Sequence, residues 1–142
     1  MDRPLNGRIT VAGQISPDQL PAIKASGHNV LVDSRPDQEV GDDLQSERMR
    51  IAAEAAGLTF HYIPMTPGQM PEPSAVADFL AALQGGKVFA YCGGGPRAIV
   101  LASFAAAQEG KPIEEILDDA RSAGIDLSPA RQQLIERGAS EG

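Results

Sequence analysis

One cysteine and one arginine frame a glycine-rich segment of the chain, Cys92-Gly93-Gly94-Gly95-Pro96-Arg97. Successive glycines allow backbone N–H groups to turn toward one point and bind an anion. Pro96 suits the first position of a helix, and Arg97 can hold an oxyanion with two parallel hydrogen bonds. We expect this loop, the helix that follows it and Arg97 to favour the thiolate of Cys92. A thiolate beside an oxyanion-binding loop is equipped to attack phosphorus or sulfur.

The alternative interpretation makes Cys92 a small buried apolar residue, which is what a lone free cysteine usually is. Packing alone does not need three glycines and an arginine at a strand-to-helix turn, so the segment favours chemistry. The glycines would also suit a tight turn before a helix under either interpretation.

Two carboxyl groups and a second arginine could support such chemistry. A phosphatase needs a general acid to protonate the leaving oxygen. Asp33 ends the second predicted strand and Asp37 lies in the loop after it, so either could face Cys92. Arg35 is a second candidate for binding an anion. The alternative is structural: Asp33 pairs with Arg35 or caps nearby backbone, and Arg35 orders the loop through a salt bridge.

The elements that must position these residues alternate along the chain. Apolar runs predict strands at 9–12, 29–33, 58–65 and 87–91, and helical periodicity and capping signals predict helices at 16–26, 43–56 with Asp43 as the cap, 76–83, 98–108, 113–120 and 128–136. This order predicts a single three-layer α/β domain over 1–142, with a mainly parallel central sheet and helices on both faces. Ligands bind outside the carboxyl ends of such strands, where Cys92 lies. We expect a core of about 8–137, frayed ends, and either a lid or a rigid connector at 66–73.

Composition and charge exclude several classes of function. The 142 residues carry a formal net charge of −7, which argues against nucleic acid or an anionic membrane surface as the main partner but permits a small anionic ligand. One cysteine excludes an internal disulfide, and one cysteine with two separated histidines does not make a zinc site. Attack by a cysteine thiolate on phosphorus or sulfur needs no cofactor. Without an apolar run of about 20 residues or a signal-peptide pattern, we expect a cytoplasmic protein. The oligomeric state stays open.

These motifs together resemble the beta-lactamase-hydrolase-like phosphatase family, small bacterial domains similar to protein tyrosine phosphatases. The resemblance covers roughly residues 8 to 110 and rests on Ala12-Gly13-Gln14 with Ser16-Pro17, on Val30 to Glu39, on Tyr62-Ile63-Pro64-Met65 and on Cys92 to Arg97. It implies a phosphatase-like fold and a cysteine nucleophile, and some relatives of this family are associated with sulfur metabolism.

A shorter resemblance links the same loop to rhodanese, the cysteine sulfurtransferase. Tyr91-Cys92-x-x-Gly95-x-Arg97 is similar to the rhodanese active loop, and Leu31-Val32-Asp33-Ser34-Arg35 is similar to its second-strand motif. The phosphatase resemblance implies five residues between the cysteine and the arginine, whereas this chain has four, which suits a single sulfur atom better than a phosphoryl group. It also implies a hydroxyl residue after the arginine, where this chain has Ala98, and a basic then a hydroxyl residue after the cysteine, where it has Gly93 and Gly94.

Three hypotheses follow. The first is a cysteine-thiolate, phosphatase-like hydrolase with Cys92 as nucleophile, Arg97 as clamp, Asp33 or Asp37 as acid, and residues 93–96 with Ala98 and Arg35 as the substrate-binding shell. The second is a sulfurtransferase that carries a persulfide on Cys92 and takes a sulfane-sulfur substrate. The third is an inactive module that binds an anion or a protein partner.

Overall fold

Five short strands form the central sheet of the computed structural model, which describes residues 2–141. They are β1 (Asp2–Pro4), β2 (Ile9–Ala12), β3 (Val30–Asp33), β4 (Thr59–Tyr62) and β5 (Val88–Tyr91). The spatial order is β1-β2-β5-β3-β4, in which β1 is antiparallel to β2 and every other neighbouring pair is parallel. The mainly parallel sheet is therefore confirmed.

Six helices cover the sheet on both faces. They are α1 (Leu20–Ala25), α2 (Ser46–Ala55), α3 (Pro73–Leu83), α4 (Pro96–Gln108), α5 (Ile113–Ala123) and α6 (Arg131–Glu136). Short 3-10 turns lie at Pro17–Gln19, Asp37–Glu39, Asp42–Leu44 and Ser128–Ala130. α1 and α2 bury their apolar residues with Leu31, Phe89 and Tyr91, whereas α3 to α6 pack on Val30, Val32 and Ala90. Side chains alternate along each strand, so the sheet contributes apolar residues to two cores, one on each face.

The position of α4 in the fold explains why this helix is apolar almost all round. It packs against the sheet on one side and against α3, α5 and α6 on the others, and eight of its residues are buried. The predicted central helix is therefore confirmed, although it begins at Pro96 rather than at Ala98.

Further details differ from the sequence predictions, among them β4, which spans 59–62 rather than 58–65, and α6, which begins at Arg131 rather than at Ser128. β1 was not predicted, because three exposed residues carry no apolar pattern and are held only by pairing with β2. α2 begins at Ser46, and Asp43 lies in the preceding 3-10 turn instead of capping the helix. Within the described residues, Asp2–Pro4 pairs with β2, and the Ile113 N–H donates to the Ser140 carbonyl at 2.7 Å.

The topology brings the candidate residues to one edge of the sheet. β3 and β5 are neighbours in parallel register, with Asp33 beside Tyr91 at their carboxyl ends. The loop that follows β3 and the loop that begins at Cys92 therefore emerge side by side. Among residues 2–141, no helix is both long enough and apolar enough to cross a membrane.

Candidate functional site

The Cys92 loop connects the end of β5 to the start of α4. Cys92 is fully buried, and its Sγ accepts a hydrogen bond from the Gly95 N–H at 3.1 Å. Gly95 has φ of +108°, a backbone conformation that side-chain-bearing residues avoid, and this turn directs its N–H back to the sulfur. The loop thus places a backbone donor and the positive end of a 13-residue helix beside the only thiol of the chain.

Gly93 provides space for the guanidinium groups above the loop. A Cβ at this position would lie 2.9 Å from Arg97 Nη2 and 3.6 Å from Arg35 Nε. The Gly93 carbonyl accepts the Gln14 N–H at 3.2 Å, so the loop following β2 supports this turn. A side chain at position 93 would push Arg97 away from the loop.

Arg97 is held in a fixed orientation by two partners. Its Nη1 donates to Glu39 Oε2 and to the Met65 carbonyl, both at 2.9 Å, and its Nη2 donates to Glu39 Oε1 at 2.8 Å. A guanidinium has five N–H donors, so Nε–H and one Nη2–H are left for an anion. The hydrogen bonds with the Glu39 carboxylate are the largest cause that raises the pKa of Arg97.

Glu39 joins both arginines of the site and was not among the residues predicted from the sequence. Besides Arg97, its Oε1 accepts from Arg35 Nε at 3.3 Å, and the two guanidinium groups together lower the pKa of Glu39, with Arg97 as the larger cause. The spacing of Arg35 and Glu39, four residues apart in the loop after β3, was an available signal. The contact between Glu39 and Arg97 joins residues that are 58 positions apart in the chain, and no local sequence signal indicates it.

Arg35 lies beside Gly93 and is anchored by Gln14 and Glu39. Its Nη1 donates to Gln14 Oε1 at 3.2 Å. The predicted pairing of Arg35 with Asp33 exists only through the backbone, since the Arg35 N–H donates to Asp33 Oδ1 at 2.9 Å. The structure therefore brings Cys92, Arg97 and Arg35 together, with Glu39 between the two cations.

Asp33 is buried at the end of β3, on the sheet face that carries Leu31 and Tyr91. Burial raises its pKa to about 6, against the stabilising effect of the Arg35 N–H. The Tyr91 hydroxyl is close enough to counter that shift, although it lacks hydrogen-bond geometry toward any described residue. The pKa of Tyr91 is raised, first by its own burial and then by the Asp33 charge. Cys92 belongs to the core on the opposite face.

Asp37 is engaged by the start of α2. Its Oδ1 accepts the Ser46 N–H at 2.6 Å and its Oδ2 accepts the Ser46 hydroxyl at 2.7 Å, while its own N–H donates to the Tyr62 hydroxyl. The structure gives neither Asp33 nor Asp37 a hydrogen bond to Cys92 or Arg97.

An apolar groove opens beside Arg97. Its volume is about 330 Å³ and its lining residues come from the 66–73 loop, the outer side of α4 and the segment before α6, among them Met70, Pro96, Val100, Phe104 and Leu127. Gly94 and Pro96 are exposed on the rim of the loop, whereas Ala98 is fully buried in the first turn of α4. The predicted shell 93–96 is thus accessible in part, and Ala98 faces the core.

Within residues 2–141, the structure shows no group of three or more histidine, cysteine, aspartate or glutamate side chains that could hold a metal ion.

Comparisons with known proteins find related phosphatase-like domains. Residues 3–109 match the family model described as "Beta-lactamase hydrolase-like protein, phosphatase-like domain". A beta-lactamase hydrolase-like protein of Agrobacterium fabrum is 32% identical over 139 residues, which is 96% of this chain and 32% of that protein. The chain therefore spans about a third of the length of this curated relative.

Two solved structures show the same fold. A candidate phosphatase of Neisseria meningitidis is 28% identical, with a TM-score of 0.76 over 94% of this chain and 96% of that chain. A candidate protein tyrosine phosphatase of Leishmania major is 16% identical, with a TM-score of 0.64 over 89% of this chain and 85% of that chain. The predicted phosphatase-like α/β fold is confirmed.

Proposed function

Because the chain belongs to the family of phosphatase-like domains of beta-lactamase hydrolase-like proteins, we propose that it is a cysteine-dependent phosphatase that acts on phosphate monoesters. Cys92 is the nucleophile, the backbone of 93–97 binds the phosphoryl oxygens, and Arg97 clamps them. The comparisons give no support to the sulfurtransferase alternative or to the inactive module, and both stay predictions.

The observation that carries the proposal is the arrangement of donors around one sulfur. The Gly95 N–H points at Cys92 Sγ at 3.1 Å, and Arg97 is oriented so that two of its N–H groups stay free. Donors that are fixed before the reaction stabilise charge without reorganising, which is the largest single contribution in many enzymes. The donors here surround the place where a thiolate and a phosphoryl group would meet.

The first step transfers the phosphoryl group to the enzyme. The Cys92 thiolate forms a bond to phosphorus while the bond from phosphorus to the ester oxygen breaks, and the leaving oxygen takes a proton. In the second step a water oxygen bonds to phosphorus, the phosphorus–sulfur bond breaks with its electron pair returning to sulfur, and the water proton passes to solvent. Arg97 balances the phosphoryl charge in both steps.

Of the two carboxyl groups, Asp33 is the better candidate for the proton donor. Its pKa of about 6 keeps part of it protonated near neutral pH, whereas Asp37 uses both oxygens to hold the start of α2. Asp33 is buried and has no hydrogen bond to Cys92 or Arg97, so its proton would reach the leaving oxygen through an intervening water molecule rather than by direct contact. Loss of turnover in Asp33→Asn with retention in Asp37→Asn, measured on an ester with a poor leaving group, supports this assignment.

The apolar groove beside Arg97 favours a phosphate carried on an apolar or aromatic group. A strongly hydrated leaving group would lose its water there for few new partners, because Gln69 and Arg97 are the polar side chains among lining residues that are otherwise apolar or glycine. We therefore expect aryl phosphates to be better substrates than phosphates of small polar alcohols.

The test compares an aryl phosphate, thiosulfate and glutathione persulfide as substrates for the unmodified chain and for Cys92→Ser and Arg97→Lys. Aryl phosphate turnover that is lost in Cys92→Ser and falls by at least about 100-fold in Arg97→Lys supports the proposal. Aryl phosphate turnover that persists in Cys92→Ser would contradict the proposal. A cyanide-removable gain of one sulfur atom on Cys92, seen by intact mass without phosphate turnover, would replace it with sulfur transfer.

A further inference from the structure

A hydroxyl group without a partner is buried at the end of β3. Ser34 is 0% exposed, and its Oγ has no hydrogen-bond partner among the described residues. Buried polar side chains almost always have a partner, so a hydroxyl without one among the described residues needs a physical explanation.

The strand register places Ser34 beside Cys92. The Ser34 N–H donates to the Tyr91 carbonyl at 2.9 Å, which extends the β3–β5 ladder one residue beyond the pair Asp33 and Tyr91. Val32 lies in the same core as Cys92, and side chains alternate along a strand. Ser34 comes two residues after Val32, so its side chain lies on the same face of the sheet as the Cys92 sulfur.

Besides Arg97, which lies within interaction distance of the sulfur, few groups of the described chain donate to Cys92. The one hydrogen bond that Cys92 Sγ receives from a described backbone group comes from Gly95. Ala98, in the first turn of α4, is fully buried and has no polar side-chain atom. A fully buried thiolate needs compensation by hydrogen bonds, since burial removes its solvation.

We propose that the Ser34 side chain turns about its Cα–Cβ bond and so brings its hydroxyl to donate a hydrogen bond to the Cys92 sulfur when the sulfur is a thiolate. A neutral thiol is a weak acceptor, so the hydroxyl gains little from turning toward it. A thiolate is a strong acceptor, and a change of the Ser34 side-chain rotamer needs no backbone movement.

The inference rests on the proposed function for its consequence in catalysis. When water attacks phosphorus in the second step, the phosphorus–sulfur bond breaks and its electron pair moves to sulfur. The Ser34 hydroxyl stabilises that developing thiolate while keeping its own proton. It therefore speeds release of the phosphoryl group from Cys92 more than attack on the ester.

Ser34→Ala tests this step in pre-steady-state kinetics with an aryl phosphate. We expect release of the phosphoryl group to slow by about 10-fold, so that phosphoenzyme accumulates after acid quench, while the rate of the initial burst changes less. Ser34→Thr, which keeps a hydroxyl, restores release. Ser103→Ala, another buried serine of the same core, is the matched control and leaves both phases unchanged. Equal release rates in Ser34→Ala and the unmodified chain would overturn the proposal.

A second measurement does not depend on phosphatase activity. The chain has one cysteine, so the thiolate absorbance near 240 nm, corrected with Cys92→Ala, reports this sulfur alone. Ser34→Ala should raise the pH of half-ionisation by about 0.5 to 1 unit, and Ser34→Thr should not. Ser34→Gly serves as a second hydroxyl-free variant if Ser34→Ala does not fold. An unshifted midpoint in the hydroxyl-free variant overturns the inference, whereas a shift without any phosphate turnover leaves the donor in place and contradicts the proposed function.

Discussion

At the scale of single residues, the orientation of Arg97 depends on Glu39. Both oxygens of Glu39 accept from Arg97, and the Met65 carbonyl takes a third N–H. These contacts leave one edge of the guanidinium free, the edge that lies near Gly93. Glu39 is therefore a positioning residue that acts through Arg97, and its carboxylate is too strongly paired to serve as a proton donor.

Glu39→Gln should lower kcat/KM for an aryl phosphate by about 10- to 100-fold, because a guanidinium displaced by about 1 Å loses much of its alignment with the phosphoryl oxygens. Steady-state kinetics check this, and we expect kcat to fall more than KM rises. Glu47→Gln is the matched control, since Glu47 pairs with Arg50 on the exposed surface of α2. An increase in activity in Glu39→Gln would mean that the carboxylate competes with substrate for Arg97 instead of positioning it.

At the scale of elements, α2 is fixed by a carboxylate from outside the helix. Asp37 binds the Ser46 N–H and hydroxyl and thereby joins the loop after β3 to the start of α2. That loop also carries Arg35 and Glu39, so the same contact that stabilises the helix holds the arginine-binding segment against it.

Asp37→Ala should lower the free energy of unfolding by about 1 to 2 kcal/mol, since the first turn of α2 loses a charged acceptor. Urea denaturation followed by circular dichroism measures the change. Asp43→Ala is the matched control, because Asp43 is exposed in the turn before α2 and has no hydrogen bond from the helix. An equal loss of stability in both variants would contradict the assignment of Asp37 as the cap.

The sequence predicted the elements that depend on local signals. Apolar runs located β2, β3 and β5, and glycines at 27, 57 and 110 lie in left-handed conformations just after helices that end there. The start of α2 was wrong because Asp43 has the right residue type, while the true acceptor approaches from nine residues upstream. Local patterns cannot rank two carboxylates when only the fold shows which one reaches the helix.

The candidate site was predictable where it lies on one continuous segment. Residue types and spacing were enough to predict the course of Cys92 to Arg97, because a strand, a glycine turn and a helix follow each other there. The contacts of Glu39 with Arg97 and of Gln14 with Arg35 join segments 58 and 21 residues apart, and no periodicity reports them. The unpaired hydroxyl of Ser34 is likewise visible only once the strands are paired.

At the scale of the whole molecule, two buried titratable groups give opposite pH dependence to folding. His28 is buried at the other end of the sheet, with Nε2 at 2.9 Å from the Thr10 hydroxyl and Nδ1 at 2.9 Å from the Ser26 hydroxyl. Burial lowers the pKa of His28, so the unfolded chain binds its proton more readily and stability falls as the pH drops below about 6.5. Burial raises the pKa of Asp33 to about 6, so the folded chain binds that proton more readily.

Asp33→Asn separates the two contributions. Between the ordinary aspartate pKa of 3.8 and about 6, folding takes up a proton at Asp33, and stability therefore falls as the pH rises through this window. Two pKa units correspond to about 2.7 kcal/mol. Asparagine keeps an acceptor for the Arg35 N–H and removes the buried charge. The free energy of unfolding of the variant, minus that of the unmodified chain, should therefore be about 1 to 3 kcal/mol higher at pH 8 than at pH 4.

Urea denaturation of both chains at pH 4, 6 and 8 measures this difference, and Asp43→Asn, an exposed carboxyl, controls for the change in net charge. Using the difference between two pH values removes any constant cost of placing an amide beside the unpaired Tyr91 hydroxyl. If the free energy of unfolding of Asp33→Asn differs from that of the unmodified chain by the same amount at pH 4 and pH 8, Asp33 is not a buried carboxyl with a raised pKa. In that event the Arg35 turn is open to solvent, and the same carboxyl would lose the property that makes it the candidate proton donor.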